Sequence, residues 1–243
     1  MKQTMKEKIS KIKDLLKNLS KKDRFKLVLL VITFILITVS GIIFKQSVLR
    51  ITPLYISLFV MLLQTKANRY AFLLGGLNSI LYSIVDISFG LYGQAMYAFL
   101  FSFTLQIATF LRWNKRKYGK TTVFREMTAI QRVCTLLAFA ASWVVLYFVL
   151  DNAGSSHVIL DNTSTLLGIL QTVLCMLSFV EYTYLQLVGC VLNIIIYITL
   201  MTENIAQITY LIYSLFSSVC VIMAVKYIAD VYKEQKKTVS FNT

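Results

Sequence analysis

The chain has 243 residues, of which 57% are hydrophobic and 15% are charged, with a net charge of +14, one proline and one histidine. A soluble domain is usually about 45 to 50% apolar and about 25% charged. The composition therefore excludes a soluble globular protein, a collagen-like chain and a disordered chain. It also excludes a disulfide framework, because the four cysteines lie in apolar runs without CxxC or metal-ligand spacing.

Eight apolar stretches are candidates for membrane-spanning helices, since a bilayer core takes about 20 helical residues. They lie at 27–44, 51–65, 70–87, 93–111, 133–150, 164–180, 184–201 and 206–225. The second is short, but Arg50 and Lys66 at its borders can reach the membrane interfaces. We therefore predict an all-α integral membrane protein with about eight transmembrane helices.

The basic residues predict the orientation, because cytoplasmic loops carry an excess of Lys and Arg. With a cytoplasmic N-terminus, the inner side holds ten Lys/Arg before the first span, two between the second and third, seven at 112–132 and four after residue 225. Only Lys45 and Arg50 fall outside. Four acidic residues are assigned to the outer loops: Asp86, Asp151, Asp161 and Glu203. We predict a plasma-membrane protein with both termini cytoplasmic.

The tail at 1–26 combines lysines with apolar residues at helical spacing. Those residues are Met5, Ile9, Ile12, Leu16 and Leu19. A basic amphipathic helix of this kind can lie on an anionic inner leaflet, or the tail can be solvated and only fix the topology. Neither interpretation involves nucleic acid.

An internal repeat relates the third and seventh stretches, which read LLGGLNSILYSI and LVGCVLNIIIYITL. Asn78 and Asn193 are 115 residues apart, and so are Tyr82 and Tyr197. Each pair lies in the middle helix of a triplet, at 51–111 and at 164–228. Because one helix links the triplets, both enter the membrane from the same side, which predicts a parallel, SWEET-like 3+1+3 core.

Besides the tail at 1–26, three further segments lie outside the two triplets. They are an extra transmembrane helix at 27–44, a basic inner loop with the linker helix at 112–150, and a cytoplasmic tail at 229–243.

Asparagine and tyrosine at positions i and i+4 share one face of a helix. A side-chain amide in hydrocarbon is costly unless it meets a partner or a water-filled cavity. One interpretation is that Asn78 and Asn193 line a central solute path, where amides and phenols bind hydroxyls and rings bind a heterocycle. The other is that they only hydrogen-bond across helices. The recurrence of the pair favours the path.

The repeated Asn–Tyr pairs belong to a longer series of polar and aromatic positions. In chain order the series is Asn78, Tyr82, 90–94 (GLYGQ), Gln106, Trp113, Asp161, Thr165, Gln171, Asn193 and Tyr197. Over roughly residues 51–228 this order resembles the PnuC-type vitamin transporters, a family known for nicotinamide riboside and nicotinamide mononucleotide. Two positions depart from the family pattern: WxxW appears as FLRW at 110–113, and EYTY at 181–184 stands where tryptophans are common in the nicotinamide riboside members.

The resemblance implies a transporter of a small heterocyclic vitamin, with nicotinamide riboside expected first and thiamine, riboflavin or deoxynucleosides as alternatives. It also implies that phosphorylation traps the solute inside the cell. The predicted substrate-binding residues are Asn78, Tyr82, Gln106, Trp113, Gln171, Asn193 and Tyr197. No cofactor and no metal are expected, and the sequence leaves a homo-oligomer open.

The predicted interior lacks the groups that drive coupled transport. Asp86 and Glu203 are expected at outer edges, which leaves no buried carboxylate or histidine to relay protons. There is also no Gly-rich loop with lysine for ATP. These features favour facilitated diffusion with alternating access.

Two other functional classes stay possible. A membrane enzyme would need clustered acids or a nucleophile with a base, whereas His157 is alone in its loop. A capture subunit of an energised vitamin importer would bind a similar solute but would copurify with an ATPase.

Overall fold

The computed structural model describes residues 20–240, and the predicted amphipathic positions of the N-terminal tail lie outside this range. The described chain folds into helices α1 (Lys21–Ile43), α2 (Val48–Gln64), α3 (Tyr70–Ser88), α4 (Tyr92–Lys115), α5 (Ala129–Asn152), α6 (Val158–Met176), α7 (Tyr182–Glu203) and α8 (Ile208–Ser240). A short hairpin, β1 (Lys117–Tyr118) and β2 (Thr121–Thr122), follows α4. A 3-10 turn, Ile205–Gln207, precedes α8.

Seven of the described helices are long and apolar enough to cross a membrane. The exception is α2, an apolar helix of 17 residues. The all-helical membrane architecture is therefore confirmed for seven helices, and the eighth span stays a prediction.

Six helices form a closed ring in the order α2, α3, α4, α6, α7, α8, with α8 returning to α2. The helix α1 lies outside this ring against α2 and α8, and α5 packs against α6. Each predicted triplet thus contributes three consecutive helices, and the two triplets follow the same order around the ring. This is the contact order that a parallel repeat requires, while superposition of the triplets stays a prediction.

The helices alternate in direction, so their connections lie at two ends of the bundle. We call the end with connections 65–69, 116–128 and 177–181 the basic end, because it carries Lys66, Arg69 and Arg125. The other end, with connections 44–47, 89–91, 153–157 and 204–207, is the opposite end.

Five helices end in the same way, with one residue of positive φ and a backbone hydrogen bond closing the last turn. These residues are Lys45, Ala67, Gly90, Gly154 and Ser178, after α1, α2, α3, α5 and α6. After α2, for example, the Asn68 N–H donates to the Leu63 carbonyl over 3.1 Å. This closure satisfies carbonyls that the helix leaves unpaired, so the chain turns sharply with few turn residues.

The loop at 116–128 is fixed to its neighbours at the basic end. Arg125 pairs with Phe179 in a parallel β-bridge, and its N–H donates to the Ser178 carbonyl over 3.0 Å. The Gln235 amide accepts from the Phe124 N–H at 2.9 Å and donates to the Thr122 carbonyl at 3.0 Å. These contacts bind the loop to the α6–α7 turn and to α8.

Three helix boundaries differ from the sequence prediction by more than five residues. The helix α1 begins at Lys21 rather than at 27, with Ser20 as its N-cap. The helix α6 begins at Val158 rather than at 164, because Asp161 and Asn162 are fully buried in its first turns. The helix α8 continues to Ser240 rather than ending near 225. Its extra turns are held by the burial of Ile228 and Val231 and by the Gln235 hydrogen bonds, so most of the predicted 229–243 tail is helical.

Candidate functional site

A cavity of about 250 Å³ lies inside the helix ring, and we call it the central cavity. Its lining comes from α2, α3, α4, α7 and α8, so both triplets contribute. The polar lining residues are Ser57, Gln64, Asn78, Ser79, Tyr82, Asp86, Gln94, Tyr97, Ser102, Gln106, Asn193, Tyr197, Tyr213 and Ser214. No Lys, Arg or His of the described residues lines it. A cavity lined by many polar side chains in an apolar bundle can hold a solute with several hydrogen-bonding groups.

The α3 wall of the cavity carries Asn78, Tyr82 and Asp86, which share one helix face at i, i+4 and i+8. The Asn78 Nδ2 donates to the Pro53 carbonyl at 2.9 Å and to the Ser57 Oγ at 2.8 Å. The Asn78 Oδ1 is buried without a partner among the described residues. One half of this amide therefore holds α2 against α3, and the other half is available to a solute.

The α4 wall carries Gln94, Ala98, Ser102 and Gln106, again four residues apart. Part of this wall is π-helical, over Tyr97–Ser102, a geometry that is frequent at functional sites. The Gln106 Nε2 donates to the Ser102 Oγ at 2.7 Å. The Gln94 Nε2 is buried and unpartnered among the described residues, which makes it a free donor at the cavity wall.

The start of α4 is held by Asp161, which the sequence assigned to an outer loop. This assignment is wrong, because Asp161 is fully buried in the first turn of α6. Its carboxylate accepts from the Gly93 and Gln94 N–H groups, each at 2.9 Å, and from the Ser155 Oγ at 2.7 Å. Free N–H groups at a helix start favour an anion. This carboxylate therefore joins α4 to α6 and positions Gln94.

The assignment of Asp86 to an outer loop is also wrong. Asp86 belongs to α3, is 6% exposed and lines the central cavity. The expectation that no buried carboxylate remains in the interior therefore fails as well. The hydropathy of residues 70–87 predicted the helix, but it could not show that the Asp86 side chain points into the central cavity.

The α7 wall contributes Asn193 and Tyr197, the second copy of the repeated pair. The Tyr197 ring stacks on Tyr210 of α8, with ring centres 5.4 Å apart. The Asn193 side chain has no hydrogen-bond partner within residues 20–238. Its amide is thus free to bind a solute, unlike the shared amide of Asn78.

A smaller cavity of about 90 Å³ adjoins the central cavity toward the basic end, and we call it the basic-end cavity. Both cavities share Gln64, Tyr97 and Gln106. Gln171 lines only the basic-end cavity. Two hydrogen bonds between facing helices involve the shared residues: Gln186 Nε2 to Gln64 Oε1 at 3.2 Å, and Tyr97 OH to Thr172 Oγ1 at 2.7 Å. These pairs place hydrogen-bonded polar side chains where the two cavities adjoin.

Trp113 lies outside both cavities. It is fully buried, its Nε1 donates to the Cys175 carbonyl at 3.0 Å, and its ring meets Phe72 and Phe124 edge-on. These contacts are typical of a packing residue at the basic end.

The structure thus brings five of the predicted residues into the central cavity: Asn78, Tyr82, Gln106, Asn193 and Tyr197. Gln171 lines the basic-end cavity, and Trp113 is separate from both cavities.

Several lining residues were not among those predicted from the sequence, among them Asp86, Gln94, Tyr97 and Tyr213. A signal existed for two of them. Asp86 continues the four-residue spacing of Asn78 and Tyr82, and Gln94 belongs to the GLYGQ motif. Tyr97 and Tyr213 lie in apolar stretches where nothing distinguishes a tyrosine that faces a cavity from one that packs.

Comparison with known proteins identifies the family. A family model described as nicotinamide mononucleotide transporter matches residues 47–229. A crystal structure of the vitamin B3 transporter PnuC superposes with a TM-score of 0.65 at 22% identity, covering 84% of this chain and 92% of that chain. At this identity the likeness supports the fold alone. A search of curated proteins finds no match. The extent of the family match shows that the chain belongs to the nicotinamide mononucleotide transporter family of multi-span membrane transporters.

Proposed function

We propose that this protein takes up nicotinamide riboside by facilitated diffusion with alternating access, and that phosphorylation traps the solute inside the cell. The central cavity is the observation that carries the proposal. It lies between the triplets, as a site for alternating access requires, and both contribute amides and phenols to it. The ribose hydroxyls and the carboxamide match these donors and acceptors.

The charge of the lining favours a nucleoside over a nucleotide. Proteins hold phosphate groups with Arg, Lys or backbone N–H groups at helix starts. None of the described residues that line the central cavity is basic, and the N–H groups at the start of α4 already bind Asp161. A phosphorylated solute would instead meet the Asp86 carboxylate.

The proposed substrate-binding residues are Asn78, Tyr82, Gln106, Asn193 and Tyr197 in the central cavity and Gln171 in the basic-end cavity. Trp113 is left out because its indole is occupied in packing. The parallel repeat, the cytoplasmic termini and a possible homo-oligomer stay part of the proposal.

Transport by the purified protein tests this function. Vesicles that contain only this protein should accumulate labelled nicotinamide riboside to the outside concentration without ATP or an ion gradient. When a nucleoside kinase and ATP are enclosed together in the vesicles, transfer of the ATP γ-phosphoryl group to the solute should raise the total label further. Uptake that requires an ATPase partner would instead identify a capture subunit.

The substrate needs its own test, because the departure at 181–184 leaves related solutes possible. Binding should be measured for nicotinamide riboside, nicotinamide mononucleotide, thiamine, riboflavin and deoxynucleosides. Tighter binding of any other member of this set would reject nicotinamide riboside and leave the transporter assignment intact.

A further inference from the structure

Asp86 is a buried carboxylate that the proposed hydrogen-bonding function does not use. It is 6% exposed and lies two helical turns from Asn78 along the same wall of the central cavity. Within the described residues, no side-chain hydrogen bond or ion pair reaches its carboxylate. Asp161, the other fully buried acid nearby, accepts three hydrogen bonds that hold α4 to α6. Of the two, only Asp86 is open to a ligand.

The basic groups at this end of the bundle do not neutralise Asp86. The described basic residues here are Lys45, Arg50 and His157, and none lines the central cavity. The Arg50 guanidinium lies 5.0 Å from the centre of the Phe89 ring and donates to the Ser88 Oγ at 3.2 Å. The His157 Nε2 is 3.1 Å from the Glu203 carboxylate. An ionisable group inside a membrane protein is costly, so an unpaired one points to a function.

The other lining groups also favour a cation. Tyr82, Tyr97, Tyr197 and Tyr213 line the same cavity, and aromatic rings attract positive charge through their electron-rich faces. A flat heterocycle with a positive ring would find a carboxylate, aromatic side chains and free amide groups in one space.

We propose that Asp86 is the counter-ion for a positively charged ring of the solute. The site then selects a monocationic heterocycle, such as an N-substituted pyridinium, over a neutral ring of the same shape. This inference rests on the proposed function, because it assigns the charge of the solute that the same cavity binds.

A pair of ligands that differ only in charge tests the proposal. Nicotinamide riboside carries a ring cation, and benzamide riboside has a carbon atom in place of the charged nitrogen. Binding of each to the purified full-length protein should be measured by calorimetry. The wild-type protein should prefer the cation by about tenfold or more, since close charge pairs in buried interfaces couple at least this strongly.

Variants at Asp86 and at a second carboxylate test whether Asp86 causes the preference for the cationic ligand. The Asp86→Asn protein should lose the preference and bind both ligands with similar affinity, whereas Asp86→Glu should retain part of it. Asp151→Asn is the matched control, because Asp151 is an exposed carboxylate at the same end outside the cavity, and it should keep the wild-type preference.

Three results would contradict the proposal, and they have different consequences for the proposed function. Equal wild-type affinities for the two ligands would overturn the inference without any variant, and the proposed uptake could still stand. An unchanged preference in a folded Asp86→Asn protein would also overturn it. If the wild-type protein binds neither riboside, the proposed function fails first and the inference fails with it.

Discussion

At the scale of single residues, the two repeated asparagines have different surroundings. Asn78 uses its Nδ2 for two hydrogen bonds to α2 and leaves its Oδ1 free, whereas Asn193 has no partner among the described residues. The two interpretations of the repeated pair, a solute contact and a bond between helices, are therefore both compatible with Asn78. Only the first fits the contacts of Asn193.

Leucine substitutions at the two positions should have different effects. Asn193→Leu should abolish uptake with an unchanged unfolding temperature, because only a solute contact is lost. Asn78→Leu should abolish uptake and also lower the unfolding temperature, since each lost helix–helix hydrogen bond in a membrane costs about 0.6 kcal/mol. Vesicle uptake and thermal unfolding in detergent measure both effects. Normal uptake by Asn193→Leu would remove this residue from the site.

Asp161 should be important for folding rather than for solute binding. In Asp161→Asn, one carboxylate oxygen becomes an NH₂ group, which cannot accept from the N–H groups at the start of α4. An unsatisfied buried donor costs about 1 to 3 kcal/mol, so the unfolding temperature should fall. Asp151→Asn is the control with the same chemical change at an exposed position. Equal unfolding temperatures of the two variants would contradict the role assigned to Asp161.

At the scale of helices, Gly75 of α3 leaves room for the Gln106 side chain of α4. An added Cβ at this position would collide with the Gln106 Oε1. The end of a glutamine side chain can move aside, so the helix pair should tolerate the change while the amide leaves its position in the cavity.

Gly75→Ala should therefore weaken substrate binding without reducing the yield of folded protein. Gly189→Ala is a matched control on α7, because an added Cβ there has its nearest neighbours at an ordinary 3.6 Å. Binding measured by calorimetry should fall several-fold or more for the first variant and change little for the second. Comparable losses of affinity in both variants would show that the position of Gln106 does not determine substrate binding.

Helix positions were predictable from the sequence because hydropathy measures the free energy of transfer into lipid, and this free energy is summed over a whole segment. The boundaries of α3 and α7 were found within two residues. The start of α6 was missed because Asp161 and Asn162 look like loop residues until their buried partners are known. The end of α8 was missed because Gln235 is held by the distant 116–128 loop.

Residues that line the cavity could be predicted only where a polar side chain in an apolar helix recurred at the same spacing in the second triplet. Asn78 and Asn193 are conspicuous in apolar helices, and the same spacing recurs at Tyr82 and Tyr197. Tyr97 differs from these, because its direction depends on the local π-helical geometry and on the close approach of Gly168 to its ring. Such details arise from packing and leave no periodic pattern in the sequence.

At the scale of the whole molecule, the six-helix ring surrounds the central cavity with helices of both triplets, while α1 and α5 lie outside. Almost no side chain of α5 is buried, and its exposed apolar residues suit contact with lipid. The ring alone therefore contains every residue of the proposed site.

The orientation of the bundle is testable by labelling single cysteines in a cysteine-free background. Ser156 lies at the opposite end and Lys120 lies in the hairpin at the basic end, and both are exposed. We expect a membrane-impermeant reagent to label Ser156→Cys in intact cells and Lys120→Cys only after the cells are opened. The reverse pattern would overturn the orientation derived from the basic residues.

Among the described residues that line the central cavity, one is a carboxylate and none is basic, which has an energetic consequence for a solute that carries a positive ring. The carboxylate stays with the protein, so each transport cycle moves one net positive charge across the bilayer. An interior-negative potential of 100 mV contributes about 2.3 kcal/mol per charge, which corresponds to roughly 50-fold accumulation. The membrane voltage thus concentrates such a solute without any coupling ion, and vesicles with an imposed potassium diffusion potential should show uptake that rises with voltage.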